Sequence, residues 1–321
     1  MTGLPTFAPL ARVVRSGFVE GVHHGVAVAL GADGSPKLSV GTPSEPLFPR
    51  SAVKPLQAVA MLRAGLPLAG RDDARLLALS AASHSGEDFH LDGVRTLLAR
   101  FSLPENALRN TPDLPLDPDE AHRWRATGRG PTSPAQNCSG KHAAMLATCA
   151  VNGWPLEGYL APDHPLQVAI RAGVEELTGA AVTAVGVDGC GAPVLAVPLD
   201  GLAAAFARVA TAPDGSPERA VADAVRAHPE WLGGTRRPIT RLIRGVPGLV
   251  AKDGAESVWA AAFPDGRAFA LKVADGGARA VGPVSAALLR ALGEESPFVD
   301  SFGDEPILGH GEPVGAVESL L

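Results

Sequence analysis

The spacing of apolar residues changes along the chain from a strand-like pattern near the start to a helix-like pattern in the middle. Alternation with a period of two predicts early strands at 12–19, 24–30 and 37–40. Apolar positions every three or four residues predict helices at 51–65, 72–82, 88–101, 139–151, 165–177, 202–209 and 217–227. Later strands are predicted at 183–187, which is apolar enough to be buried, and at 249–251, 257–263 and 268–273, before a closing helix at 278–292. Four prolines predict a loop over 103–120.

This order of elements predicts an α+β fold, built as an α/β/α sandwich around a mainly antiparallel sheet. Strands near both ends of the chain have to meet in one sheet for their apolar faces to be covered. No repeat, low-complexity tract or obvious linker divides the sequence. We therefore expect residues 1–321 to form a single domain.

Composition narrows the classes of function. The net charge of −6 argues against non-specific binding to nucleic acid or to anionic membranes. No uncharged run reaches the ~18 apolar residues of a membrane span, and residues 1–10 lack the pattern of a secretion signal. Three cysteines are too few for a disulfide scaffold. We therefore expect the protein to be located in the cytoplasm, where cysteines stay reduced.

Lysine is scarce, since only five of the 28 basic residues are lysines. Arginine stays charged, whereas a buried lysine can lose its proton and act as a base. The lysines are therefore candidates for chemistry that arginine cannot perform. Lys37 and Lys272 have no motif around them, and for these two a surface position is an equal alternative.

The first chemical motif is Ser-x-x-Lys, formed by Ser51 and Lys54 at the start of a predicted helix. Spacing of three residues places both side chains on one helical face. A serine hydroxyl needs a neighbouring base to act as a nucleophile, and a lysine amine serves when burial lowers its pKa. The structural alternative is a serine that caps the helix beside a solvated lysine.

Two further segments extend this pattern. Ser83 and His84 lie in a cluster of small polar residues where a predicted helix ends, and Lys252 begins a Lys-x-Gly sequence after a short strand. This order is typical of penicillin-binding proteins and serine β-lactamases. The Ser-Asp-Asn or Tyr-x-Asn motif of those enzymes is absent, and the charge of Asp253 would oppose a β-lactam carboxylate.

Cys138 and Cys190 are each flanked by glycine and polar residues, unlike cysteines packed in a core. The sequence is compatible with three states of these two cysteines: a disulfide, a pair of metal ligands or two buried thiols. Two thiolates with the nearby Lys141 or His142 can hold a zinc ion. Cys149 lies in an apolar stretch and is expected in the core. Phosphate loops, His-Glu-x-x-His and dinucleotide-binding motifs are absent.

Taken together, the motifs resemble the asparaginase II family, the rhizobial-type or class 3 L-asparaginases. The resemblance is carried, in the family's order, by the segments 15–20, 49–57, 82–87, 137–142, 187–193 and 251–256. The Thr-Gly-Gly-Thr and Asp-Gly-Thr-Asp motifs of the threonine asparaginases are absent. The resemblance implies an L-asparagine amidohydrolase with a fold like that of serine β-lactamases and glutaminases, working as a homodimer.

The resemblance also implies a set of site residues. It pairs Ser51 with Lys54 and Ser83 with Lys252 as two catalytic tandems. It implies that zinc is held near the substrate by Cys138, Lys141 and Cys190, with Asp188 close by, and that Arg50, His142 and Asp188 contact the substrate. The sequence departs from the family where Asp253 replaces a common threonine, Ser257 replaces a glycine, and Pro238 occupies a position that some members fill with cysteine.

Two other classes of function are alternatives to L-asparagine hydrolysis. A penicillin-interactive or β-lactamase-like serine hydrolase would share the Ser-x-x-Lys and Lys-x-Gly plan. A non-catalytic amino-acid-binding or zinc-storage protein would have no need of intact serine–lysine pairs. Release of ammonia from asparagine would distinguish an asparagine amidohydrolase from both alternatives.

Overall fold

A single antiparallel sheet connects the beginning of the chain with its end. The computed structural model describes residues 5–321. Twelve strands lie within this part of the chain: β1 Ala8–Arg15, β2 Phe18–Leu30, β3 Pro36–Val40, β4 Pro46–Leu47, β5 Val185–Val187, β6 Pro193–Leu195, β7 Val197–Pro198, β8 Val250–Gly254, β9 Val258–Ala262, β10 Ala268–Val273, β11 Pro306–Gly309 and β12 Glu312–Ser319. The main sheet has the order β11-β12-β1-β2-β10-β9-β8, and β3 also pairs with β2.

The long strand β2 organises this sheet. Its first half pairs with β1, while its second half pairs with β10 on one side and with β3 on the other. The last strand, β12, then pairs with β1, so that Ala11 lies opposite Ser319. All these pairings are antiparallel. Residues more than 300 positions apart in sequence are therefore neighbours in one hydrogen-bonded sheet.

Some helices cover the sheet, and others pack against one another beside it. Their bounds are α1 Lys54–Arg63, α2 Ala74–Ser80, α3 Asp88–Arg100, α4 Pro118–Ala126, α5 Ser139–Asn152, α6 Pro165–Thr178, α7 Leu199–Ala210, α8 Pro217–Ala227, α9 Pro229–Leu232, α10 Pro238–Gly245, α11 Val281–Ala291 and α12 Pro297–Phe302. Helix α7 packs on β2, β9 and β10, and α11 packs on β1, β10 and β12. Strand β9 is buried throughout, as expected when both faces of a sheet are covered.

Strand β8 forms the edge of the sheet and lies against the turn that precedes α1. Gly254 makes this approach possible, because a Cβ atom there would lie 2.6 Å from the Pro49 carbonyl oxygen and 2.9 Å from the Ala52 nitrogen. The contact brings Lys252 on β8 to the same region as Lys54 at the start of α1. The close packing of one edge strand against one helix start thus positions two of the five lysines together.

The predicted α+β class and antiparallel sheet are confirmed, but three details of the sequence prediction are wrong. The segment predicted as a buried strand at 183–187 is a short strand whose Val187 is 81% exposed. The loop predicted over 103–120 ends in the first turn of α4, where Asp117 caps the helix. The chain also continues past the predicted closing helix into α12 and the β11–β12 hairpin. No helix within residues 5–321 combines the length and apolar character needed to cross a membrane.

Candidate active site

Ser83 lies at the centre of a cluster of buried polar side chains. It follows α2 in an irregular segment, and hydrogen bonds from its backbone N–H to Leu232 O at 3.0 Å and from His84 N–H to Asn137 O at 3.0 Å fix that segment. The Ser83 hydroxyl receives hydrogen bonds from Lys54 Nζ at 3.0 Å and from Lys252 Nζ at 3.1 Å. One hydroxyl therefore lies between two buried amines.

Lys54 reaches this hydroxyl from the first residue of α1. Its side chain is almost completely buried, and Nζ also contacts the Ala82 carbonyl oxygen at 2.5 Å and Cys138 Sγ at 3.0 Å. Three partners in three directions fix the position of the amine. This arrangement connects the serine to the pair of cysteines through a single side chain.

The predicted contact between Ser51 and Lys54 is not made through their side chains. Ser51 lies in the short turn Arg50–Val53 and is half-buried, and its Oγ has no hydrogen bond to the rest of residues 5–321. The two residues are joined only through the backbone, where Lys54 N–H donates to Ser51 O. The long lysine side chain instead extends into the buried space beside Ala82 and Ser83. Helical spacing predicted the proximity of the residues but not the direction of the lysine.

Lys252 approaches Ser83 from β8, as the tandem of Ser83 and Lys252 requires. It is fully buried and also donates to the side chain of Asp253 and to the Asp253 backbone oxygen at 2.6 Å. Burial lowers the pKa of Lys252 to about 8, helped by the positive charges of Lys54 and Arg237 and opposed by the Asp253 carboxylate. About half of Lys252 is therefore a neutral amine at mildly alkaline pH near 8.

Cys138, Lys141 and Cys190 lie together beside Lys54. Cys138 immediately precedes α5, Lys141 is in its first turn, and Cys190 is in the loop between β5 and β6. Lys141 Nζ lies 3.4 Å from Cys190 Sγ, and both thiols are free and buried against Ala192. The structure thus brings together the three residues that the sequence proposed as zinc ligands.

The two thiols have opposite electrostatic character. A hydrogen bond from Cys190 holds the pKa of Cys138 well below its usual value, with help from Lys54 and Lys141 against the cost of burial. The same hydrogen bond and burial raise the pKa of Cys190. Burial alone would lower the pKa of Lys141, but its interactions with Cys190, Cys138 and the Asp188 carboxylate outweigh burial and raise that pKa. The opposite directions of the two cysteine pKa shifts favour a thiolate on Cys138 over one on Cys190.

Arg50 and Asp188 form an ion pair at the more open side of this cluster. Arg50 Nε and Nη2 lie 2.9 Å and 2.7 Å from the same carboxylate oxygen of Asp188. Burial would raise the pKa of Asp188, but the hydrogen bonds from Arg50 and from Gly189 N–H lower it overall. The pair presents one positive and one negative group, each of them partly accessible to solvent.

These groups lie within a chain that the family model of L-asparaginase II matches from residue 11 to residue 319. The chain belongs to the L-asparaginase II family. The match extends over nearly the whole sequence and so contains every residue of the cluster. Membership supports an asparaginase function, that of a hydrolase acting on a small amide. No curated protein matches the chain significantly.

The two histidines of the asparaginase II motifs are buried and neutral. Tyr159 Oη accepts a hydrogen bond from Arg109 N–H and lies 2.7 Å from His142 Nδ1, a contact in which either atom can donate. The other ring nitrogen, His142 Nε2, has no hydrogen-bond partner among the described residues. Burial, with the charges of Lys141 and Lys54, keeps the pKa of His142 well below its usual value. His142 thus has one buried ring nitrogen without a partner.

His84, in contrast, has both ring nitrogens occupied. Its Nδ1 accepts from Gly86 N–H at 3.2 Å, and its Nε2 lies 2.8 Å from Ser139 Oγ, which donates its own proton to Pro134 O. Burial keeps its pKa well below the usual value. His84 is therefore a structural residue that ties the Ser83 segment to the start of α5.

One residue beside the site was missed by the sequence analysis. Arg237 Nη2 donates to Asp253 Oδ2 at 2.6 Å, on the side of the carboxylate away from Lys252. Nothing in the sequence distinguishes Arg237 from the other arginines. Its only local signal is that it precedes Pro238, the first residue of α10. The prediction that Cys149 is a core residue agrees with its complete burial, and burial raises its pKa to about 11.

No group of three or more His, Cys, Asp or Glu residues suited to a metal ion occurs between residues 5 and 321. The proposed zinc ligands therefore depend on the amine of Lys141 as the third donor.

Proposed function

We propose that this member of the family hydrolyses the side-chain amide of L-asparagine to L-aspartate and ammonia, with Ser83 as the nucleophile. The observation that carries the proposal is the position of the Ser83 hydroxyl, within 3.0 and 3.1 Å of two buried lysine amines. A serine needs a base to attack an amide, and a lysine serves once its amine is neutral. Lys252 meets that requirement because burial lowers its pKa to about 8.

The chemistry then follows in two balanced steps. The Ser83 oxygen bonds to the amide carbon while the Lys252 amine takes the hydroxyl proton, and that proton passes to the nitrogen as the carbon–nitrogen bond breaks and ammonia leaves. Water next attacks the resulting ester, giving one proton back to Ser83 through the lysine, and aspartate leaves. Lys54, with its positive form facing the same oxygen, stabilises the negative charge that develops during the attack.

Ser51 and its neighbour Arg50 lie on the approach to Ser83 in this proposal. We assign Arg50 to the α-carboxylate of the substrate and Asp188 to the α-ammonium group. The ion pair places a positive and a negative group side by side, which matches the two charges of an amino acid. When the substrate binds, each of the two side chains exchanges its ion-pair partner for the opposite charge on the substrate. Ser51 is proposed as the second catalytic hydroxyl, because its half-buried position in the turn before α1 leaves it partly accessible. His142 Nε2, which has no hydrogen-bond partner among the described residues, is proposed to contact the substrate.

We propose that a zinc ion is held by Cys138, Lys141 and Cys190. The proposal rests on two free buried thiols and on the Lys141 amine 3.4 Å from Cys190 Sγ. Because the pKa of Lys141 is raised, a metal ion would have to displace the proton of this amine on binding. Zinc bound there would polarise and orient the substrate. Purification without chelators should give about one zinc per chain by elemental analysis. Absence of metal together with three freely titratable thiols would contradict the site.

We also propose a fold like that of the serine β-lactamases. Support comes from the Ser-x-x-Lys segment at the start of α1, from Lys252 on the edge strand β8 and from terminal strands that meet in one antiparallel sheet. The resemblance further proposes a homodimer, which sedimentation velocity tests. A cytoplasmic location is proposed because all three cysteines are free.

The experiment that tests the function is an ammonia-release assay with L-asparagine, run beside hydrolysis of a chromogenic cephalosporin. We expect ammonia from asparagine and no turnover of the cephalosporin. The reverse result would assign the chain to the β-lactamase-like class. Binding of asparagine without ammonia release would assign it to the class of amino-acid-binding proteins.

A further inference from the structure

Lys252 is held by a partner that the serine–lysine pair does not itself require. Its Nζ contacts both the carboxylate and the backbone oxygen of Asp253, the next residue of β8. The other carboxylate oxygen of Asp253 accepts a hydrogen bond from Arg237 Nη2 at 2.6 Å. Arg237 immediately precedes α10, so a chain of charged groups runs from that helix through the edge strand to Ser83.

We propose that Arg237 and Asp253 are positioning residues that hold the Lys252 amine against the Ser83 hydroxyl and set the balance between its neutral and charged forms. The proposal rests on the proposed function only in giving Lys252 the role of base. The contacts themselves connect β8 and α10 whatever the reaction is.

Positioning follows from the number of anchors on a flexible side chain. A lysine has four rotatable bonds, and a single contact to Ser83 would leave its amine free to move. The two oxygens of Asp253 fix Nζ from one side while the Ser83 hydroxyl lies on the other. Since a displacement of about 1 Å at a reacting group can cost ~10²-fold in rate, this anchoring bears directly on turnover.

The anchor has an electrostatic disadvantage that Arg237 offsets. A carboxylate beside a lysine favours the ammonium form, and an ammonium group cannot accept a proton from Ser83. Arg237 compensates part of that negative charge by binding the second carboxylate oxygen. Asp253 is buried, and the charges of Lys252 and Arg237 together keep its pKa well below the usual value despite burial, so it remains a carboxylate.

The groups that face Lys252 come from every element packed around it. Asp253 favours the charged form of Lys252, whereas Lys54 of α1 and Arg237 beside α10 disfavour it. Ser83 is neutral. Loss of Arg237 therefore removes one of two positive neighbours and leaves the carboxylate uncompensated, and both changes raise the pKa of Lys252.

The neighbouring Arg236 provides a matched control. Its ion pairs are made to Asp117 and Asp119, near the start of α4, and its side chain is 51% exposed, against 23% for Arg237. Replacing either arginine by glutamine removes one positive charge from adjacent positions of the chain. Only Arg237→Gln removes the contact to Asp253.

The test measures the protonation of Lys252 directly and the reaction separately. Because the chain contains only five lysines, protein labelled with ¹³C at lysine Cε gives few signals, and that of Lys252 is assigned by its loss in Lys252→Arg. We expect Arg237→Gln to raise the pKa of Lys252 by about one unit and Asp253→Thr to lower it, within the range of ~1–3 units for a nearby charge. Arg236→Gln should leave it unchanged, and Arg237→Lys, which keeps the charge, should restore it.

The rising limb of kcat against pH for ammonia release should move with the NMR titration in each variant. Asp253→Thr should also lower the maximal kcat, because the amine loses an anchor. An unchanged Lys252 titration in Arg237→Gln, in protein with wild-type circular dichroism, would overturn the proposal. A shifted titration in a protein that releases no ammonia even as wild type would overturn the proposed function and leave the positioning pair standing.

Discussion

The chemistry that we propose for this asparaginase II family member takes place at the few atoms around the Ser83 hydroxyl. Two amines lie within 3.1 Å of one oxygen, and two positive charges so close together in a buried place oppose each other. The conflict is reduced when Lys252 gives up its proton, in agreement with its pKa of about 8. In the proposed mechanism, Lys252 therefore acts as the base and Lys54 supplies the positive charge.

This division of roles predicts a pH profile. If Lys252 accepts the Ser83 proton as an amine, kcat should rise as the pH passes upward through about 8. Initial rates of ammonia release at saturating asparagine, between about pH 6 and about pH 10, measure this rise in kcat. A profile that falls through this range would show that the charged form of Lys252 is the active one.

Removing the central side chains should separate activity from folding. Ser83→Ala and Lys252→Ala should each lower kcat by about 10²–10⁴-fold, as expected for loss of a nucleophile or its base. The double variant should be scarcely worse than the poorer single variant, because the two groups act together. Lys37→Ala, on exposed β3, is the control and should keep full activity. Near wild-type turnover in Lys252→Ala would contradict the mechanism.

The ion pair of Arg50 and Asp188 predicts an effect on binding. Asp188→Asn removes the charge assigned to the substrate ammonium, and a hydrogen bond to a charged group contributes ~1.5–3 kcal/mol. We therefore expect KM for asparagine to rise by ~10–100-fold with little change in kcat. The preference for asparagine over glutamine should stay nearly the same, since it depends on the position of the amide. The test compares kcat/KM for both amides; an unchanged KM would remove Asp188 from the binding site.

At the scale of elements, the site depends on how closely α5 packs on α2. Gly140, in the first turn of α5, faces α2 so closely that a Cβ atom would lie 2.4 Å from the Leu79 carbonyl oxygen. Ser83 lies just after α2, Cys138 lies just before α5, and Lys141 lies in the first turn of α5. The contact therefore fixes the serine relative to the thiols.

Gly140→Ala should force the two helices apart. Overpacking of this kind costs about 1–3 kcal/mol, and we expect a lower free energy of unfolding in urea together with a reduced kcat. Gly130→Ala is the matched control, because a Cβ atom there meets nothing within 4 Å. Equal stability and activity of the two variants would show that the packing of α5 on α2 does not position the site.

The sequence predicts the elements whose burial follows a regular pattern and fails where tertiary contacts decide. The motifs around Ser83, Lys252 and Cys138 identify residues that the structure brings together. Helical spacing predicted a side-chain contact between Lys54 and Ser51, but Lys54 contacts Ser83 instead, because the path of a long buried side chain depends on the cavity around it. Arg237 was missed because its partner Asp253 is distant in sequence. The β11–β12 hairpin, largely exposed, lacks the alternation that identifies a strand.

At the scale of the whole molecule, the sheet joins the first and last strands. Because β12 pairs with β1 and β10 pairs with β2, neither end can leave the sheet without exposing an edge. We expect a single cooperative unfolding transition, as for one domain. Tryptophan fluorescence and far-ultraviolet circular dichroism should give coincident curves in urea. Two separated transitions would indicate two folding units.

If Ser83 is the nucleophile, the acyl group that it carries during turnover can be trapped. The enzyme is mixed with an aspartyl ester substrate that acylates rapidly, quenched in acid, digested and analysed by mass spectrometry. We expect an aspartyl group on Ser83, lost in Ser83→Ala and retained in Ser85→Ala. An aspartyl group on Ser51 with Ser83 unmodified would show that Ser51, and not Ser83, is the nucleophile.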